Sequence, residues 1–364
     1  MTSSVLAISN LAWMLCGASV VKATEADPTS RTISRAPRET FSVTYTIEIS
    51  AAHPKQARVR WELAGADEIE RIRLRFDPDR FETFTGSGTI ERHRGEILWS
   101  PSGPYAELDY TARIDHRRAA GKGYDSYAGD DWIASRTTTF FPRSSVLFRR
   151  DVEANPESRA RLVVRLPRGW ESVTVLPPDG PHRYVVETPN QRLDHPRGWL
   201  LFGRMRRVDA TVAGTALTIA LAPDVTTPVD PLLQLLQQVL PVIATLFDRS
   251  LPRLLIVLGP DPMWRGGLSG EESFYMHGDR PLRSPDQTSP YLHELFHVAA
   301  PFRPHADAHW VTEGLAEYYS IELQRRIGTL SDTKYQRALQ LFAKHGVWGH
   351  DFTRTSAPAL RNNS

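Results

Sequence analysis

Two grammars of apolar and polar positions divide the chain. From Phe41 to about Ala222 the pattern has a period of two. Phe41-Ser-Val-Thr-Tyr-Thr-Ile-Glu-Ile alternates large or β-branched residues with polar ones. The same holds for Ala57 to Leu63, Ile72 to Phe76, Tyr105 to Ile114, Ala160 to Leu166, Arg183 to Glu187 and Ala216 to Leu221. Turn signals such as Ser102-Gly-Pro and Pro177-Pro-Asp-Gly-Pro fall between these runs, as they do in antiparallel sandwiches. After Pro223 the period lengthens. Asp230-Pro231 reads as a helix start, followed by Leu232, Leu233, Leu235, Leu236, Val239 and Leu240 at helical spacing, with Pro241 expected to kink the element. Leu254 to Leu258 reads as a buried strand and Ser273 to Met276 as a second, while Ser289–Ala299, Thr312–Ile327 and Ser331–Lys344 read as helices. The expected class is therefore α+β and multidomain, with an antiparallel β-sandwich over residues 38–222 and a mostly helical domain over 225–364.

Composition narrows this little. Apolar and charged fractions of 41% and 24% are ordinary for globular chains. A formal charge of +2 offers no basic face for nucleic acid. Val5 to Val21 is mostly apolar and leads to Lys22-Ala23, which resembles a secretory signal covering residues 1–23. Export, periplasmic or secreted, is the expectation, although Met1 to Asn10 carries no Lys or Arg. Cys16 is the single cysteine and lies inside that segment, so disulfides do not enter the argument. Pro231 to Phe247 is apolar but interrupted by Gln234, Gln237 and Gln238, and reads as a core helix. No integral membrane segment is expected beyond the N-terminal signal.

The chemistry lies in His293-Glu294-Leu295-Phe296-His297. On a helix, positions i and i+4 share a face, so both imidazoles can reach one ion. Glu294 is offset beside the ion, where it can take a proton from an attacking water. Hydrolytic zinc usually takes three protein ligands. A third histidine six residues after His297 is excluded, because that position holds Arg303. Trp310-Val-Thr-Glu313-Gly-Leu-Ala-Glu317-Tyr-Tyr instead offers Glu313 as the third ligand on a following helix. Glu317, one turn later, is placed to accept a hydrogen bond from a ligand imidazole. The set implies one Zn2+ per chain. Tyr318 and Tyr319 read as packing residues, and the lone histidines His116, His182 and His195 as surface residues.

These two segments resemble the gluzincin metallopeptidases, particularly the glycyl aminopeptidase family. The resemblance implies a thermolysin-like catalytic domain, a peptide substrate and cleavage near a free N-terminus. It also implies that Gly266, Gly267 and Leu268 form an edge strand lining the substrate cleft. There the family continues with Glu-His, whereas this chain has Ser269-Gly-Glu271-Glu272. The glutamate that meets the substrate amine is thus displaced; Glu271 and Glu272 are the candidate substitutes, with a plain loop carboxylate as the favoured reading of each. A downstream tyrosine that binds the oxyanion in the family is expected beyond Ser364, which makes the sequence a C-terminally short form. His305 and His309 are the candidate donors in its place, with a surface location as the favoured reading of both. Two rival readings remain open: a non-catalytic zinc-stabilised peptide-binding module and an endopeptidase with an open cleft. Oligomeric state is not legible.

Overall fold

Period-two alternation in the first half becomes strands that bury one face. In Phe41–Ile49 every odd residue, from Phe41 to Ile49, is buried. A computed structural model describes residues 41–118, 123–149, 158–187, 193, 195–300 and 308–346. The expected signal segment, His305 and the C-terminal stretch lie outside the described residues.

A six-stranded sheet runs in the order Arg183–Val186, Ser158–Arg165, Phe41–Ile49, Gln56–Ala64, Tyr105–Arg113, Phe81–Gly86. A four-stranded sheet, Arg143–Phe148, Ile69–Arg75, Glu96–Ser100 and Thr89–His93, shares its core, in which Tyr45, Trp61 and Tyr110 of one meet Ile72, Leu74 and Trp99 of the other. The sandwich is not purely antiparallel as expected. Phe41–Ile49 and Ser158–Arg165 pair in parallel, Phe41 opposite Ser158, which the long chain between them permits. His195 is a second departure. Its ring packs against Tyr45, Trp61 and Phe141, and burial pulls its pKa down to about 4, so it is a neutral core histidine and not a surface one.

A third sheet, Glu171–Thr174, Trp199–Gly203, Trp132–Arg136, Tyr124–Ala128 and His116–Arg117, forms a middle layer. Its alternation sends Ile133, Leu200 and Phe202 into the sandwich core and Trp132, Trp199 and Leu201 to the opposite side. There they meet Ala220, Leu255, Val257 and Tyr275 of the fourth sheet.

The fourth sheet has the order Arg206–Val212, Thr215–Leu221, Arg253–Gly259, Ser273–His277, Gly267–Gly270. Thr215–Leu221, Arg253–Gly259 and Ser273–His277 are parallel, and Gly267–Gly270 closes the edge antiparallel. This sheet crosses the domain boundary expected near residues 222 to 225. Its other face carries Leu217, Ile219, Leu254, Ile256, Phe274 and Met276 into a core with the helices. Helix α1 is Val229–Phe247, α2 is Pro290–Ala299, α3 is His309–Arg326 and α4 is Asp332–Gly346. The second half is therefore a layered sheet with helices, where a mostly helical domain was expected. Helix α1 starts one residue before Asp230, and Pro241 lies inside it. Among the described residues it is the one helix long and apolar enough to cross a membrane, by length and composition. It packs Leu232, Leu236, Val239, Leu240 and Ile243 against the sheet.

Candidate metal centre

Helix α2 is fixed before it offers any ligand. Ser289 caps it, accepting from the Leu292 N–H, and Pro290 occupies the first turn, a favoured start. Tyr291, Leu292, Leu295 and Phe296 are buried. Phe296 stacks on Tyr319 of α3 at 4.9 Å, and Phe247 of α1 meets both rings. Tyr319 thus sets the separation of α2 and α3. On the remaining face, Nε2 of His293 lies 3.1 Å from Nε2 of His297. Glu313 places Oε2 3.3 Å from the first and Oε1 3.5 Å from the second.

This donor set fits zinc. Tetrahedral coordination at ordinary Zn–N and Zn–O lengths of about 2.0 Å separates neighbouring ligand atoms by about 3.3 Å. Two imidazoles and a carboxylate also match zinc's usual partners. Glu317 Oε1 is 3.5 Å from Nδ1 of His293, on the ring side opposite the cluster. Burial would lower the His293 pKa, but the carboxylates of Glu313, Glu294 and Glu317 outweigh it and hold it above its ordinary value. The same imidazoles hold Glu313 well below the usual carboxylate range.

Glu294 is 8% exposed. Burial pushes its carboxyl up to about 7, against the two imidazoles, which favour the ionised form. Gly267 forms the opposite wall: a Cβ there would lie 2.4 Å from Glu294 Cγ and 2.5 Å from Oε1. The Ser269 backbone, two residues on, also favours the ionised form. The edge strand and the candidate base are therefore in direct contact.

No family model matches this sequence, and no curated protein matches it. The fold is shared with solved zinc peptidases. An aminopeptidase N family protein from Idiomarina loihiensis superposes with a TM-score of 0.61 at 13% identity, covering 80% of this chain and 56% of that one. The chain thus spans little more than half of that protein's length. A mutant of the M1 zinc metallopeptidase from Deinococcus radiodurans gives 0.51 at 14% identity, covering 85% of this chain and 75% of that one. The same mutant bound to a Tyr-Ser-Ala substrate gives 0.51 at 13% identity, with the same coverage. At these identities the likeness is one of fold.

The other expected residues are placed differently. Gly266 backs onto the Trp264 ring, 2.3 Å from where its Cβ would stand, and Leu268 packs partly into the interlayer core. Glu271 and Glu272 occupy the turn after the edge strand, Glu272 at φ 50°. Both are held by Arg197, each at 3.6 Å, and neither joins the metal cluster. His309 is largely exposed, with Nδ1 4.0 Å from Glu313 Oε1.

Sequence reading missed two features. Asp261, His277 and Asp279 form a second group with ligand-like spacing. Arg265 pairs with both aspartates, and His277 Nδ1 accepts the Asp279 N–H at 3.1 Å. The ring proton then sits on Nε2, 3.4 Å from Asp261 Oδ1, leaving no nitrogen lone pair for an ion. The other feature is Arg136, at the end of a middle-layer strand, which feels the charge of Glu294. No local motif marks it.

Proposed function

We propose that the chain is a zinc-dependent peptidase of the gluzincin type, most similar in its motifs to glycyl aminopeptidases. Its first activity on this reading is removal of residues from free N-termini. One observation carries the proposal: His293, His297 and Glu313 converge at zinc-like spacing while Glu294 is buried beside them against Gly267. A purely structural zinc site has no use for such a base.

Zinc, when bound, supplies Lewis-acid activation of water and of the scissile carbonyl. Glu294 takes the proton of the attacking water at its carboxylate and passes it to the leaving amine. Burial raises the proton affinity of this carboxyl, which favours capture of that proton. Glu317 orients the His293 ring. The edge strand Gly267–Gly270 pairs with Ser273–His277 on one side and can take an extended peptide on the other. One zinc per chain, export after residue 23 and a thermolysin-like catalytic unit, whose sheet begins with Arg206–Val212, belong to the same proposal.

A second reading, endopeptidase action, is favoured by the capture of Glu271 and Glu272 by Arg197. Carboxylates neutralised in this way are poor partners for a substrate ammonium. The test is mass-spectrometric digestion of peptides with free or acetylated N-termini by the zinc-loaded chain beside Glu294→Gln. Stepwise loss from free peptides alone, absent in the variant, is the expected result. Internal cuts in acetylated peptides establish the second reading. No cleavage with one zinc bound, or full turnover by Glu294→Gln, overturns the proposal.

A further inference from the structure

Two arginines from the first half of the chain stand over indoles that touch the edge strand. The Arg136 guanidinium lies over the Trp199 ring, 5.6 Å from its centroid. That same indole would stand 3.0 Å from a Cβ on Gly270, so Arg136 overlooks the far end of the edge strand. Arg118 lies 5.0 Å over the Trp264 ring, which shields Gly266, so Arg118 overlooks the near end. Gly267, against the Glu294 carboxyl, lies between the two ends.

Neutralisation of this pair is incomplete. Asp125 is 3.8 Å from Arg136 and already 2.6 Å from His116 Nδ1. Arg118, Arg80 and Glu294 also act on Arg136, and Arg80 shares Asp125 with it. Burial lowers the Arg136 pKa, and Arg118 adds to that, but an arginine stays protonated at any physiological pH. A partly desolvated guanidinium beside a reaction centre favours a planar anion, which its fork can bind bidentately. It also repels a substrate lysine or arginine.

On the peptidase reading above, we propose that Arg136, assisted by Arg118, determines specificity by binding a carboxylate of the substrate beside the scissile bond. An acidic side chain and a peptide's C-terminal carboxylate offer this same chemistry, and the two are separated by the assay.

The assay is peptide binding to the zinc-loaded Glu294→Gln chain, followed by fluorescence anisotropy. One arm compares Asp with Asn and Glu with Gln at each position of a labelled peptide; the other compares a free with an amidated C-terminus. Loss of the recognised carboxylate weakens binding about 10- to 100-fold, the range for a hydrogen-bonded charge. The arm that responds identifies the source. Arg136→Gln in the same background removes the difference, Arg136→Lys retains part of it, and Arg118→Gln reduces it. Should Arg136→Gln melt early, Arg136→Lys and Arg118→Gln supply the same comparison in a folded chain. Acid and amide peptides binding within about twofold, no binding by any acidic peptide, or a difference that survives Arg136→Gln overturns the proposal. Affinity is read without turnover. A wild-type chain that cleaves nothing therefore sinks the peptidase reading and leaves carboxylate recognition to be decided by the binding data.

Discussion

Replacing Gly267 with alanine sets a methyl group where the candidate base now lies. The Cβ would stand 2.4 Å from Glu294 Cγ, 2.5 Å from Oε1 and 2.6 Å from Cδ, whereas ordinary contact starts at 3.4 Å. Relief requires the Glu294 side chain to retreat by about 1 Å, and a displacement of that size can lower a rate about 100-fold. The clash is with a side chain and not with backbone, so the edge strand need not unpair. The three atoms nearest the new methyl all belong to Glu294 and none to the ligands on α2 and α3. Gly267→Ala is therefore expected to keep one zinc and near-native melting while kcat falls about 100-fold. Gly314→Ala is the control, because a Cβ there meets nothing within 4 Å although its neighbour is Glu313. It should leave turnover intact and stabilise α3 by up to about 1 kcal/mol. The assay is kcat on a fluorogenic peptide with zinc measured by atomic absorption. Wild-type turnover in zinc-replete Gly267→Ala would refute the placement of Glu294 as base. Loss of zinc together with activity would show instead that the methyl disrupts the centre.

Glu294 also predicts a pH-dependent stability. Its carboxyl titrates near 7 in the folded metal-free chain, against an ordinary 4.5. The folded state thus holds the proton more tightly, and the penalty is absent below about pH 4.5 and complete above about pH 7. Metal-free Glu294→Gln should gain up to about 3 kcal/mol over wild type near pH 8 and converge with it near pH 4. Urea titrations at the two pH values check this, and an equal difference at both would contradict it. Glu317→Ala should weaken zinc binding about 10- to 100-fold, measured by competition with a chelator; unchanged affinity would reduce Glu317 to a solvated side chain.

What was legible in the sequence was local. His293 and His297 lie one helical turn apart, so their shared face follows from period alone, and the caps and apolar positions of α2 follow from the same arithmetic. Glu313 needed a motif, because its approach depends on how α3 packs through Tyr319 on Phe296. Arg136 and Arg118 were not legible. They reach the cleft through strand pairings such as Arg136 with Trp199 and through two indoles that no short spacing connects to them. His195 misled for a related reason: Asp194 and Arg197 flank it closely in sequence, while Tyr45, Trp61 and Phe141 come from elsewhere in the chain. The strand Thr215–Leu221 was recognised but grouped with the wrong partners, since alternation identifies a strand and not the sheet it joins.

The middle layer bears on how such a chain can be recombined. Trp199 and Leu201 face one core while Leu200 and Phe202 face another, so this sheet is a party wall shared by two rooms. A splice at residue 225 would strip the fourth sheet of Arg206–Val212 and Thr215–Leu221 and uncover Leu255, Val257 and Tyr275. It would also part the arginines over the cleft from the helices beneath it. The heritable unit, for a breeder of chimaeras as for natural shuffling, therefore includes the party wall, and a graft that leaves it behind inherits no closed core.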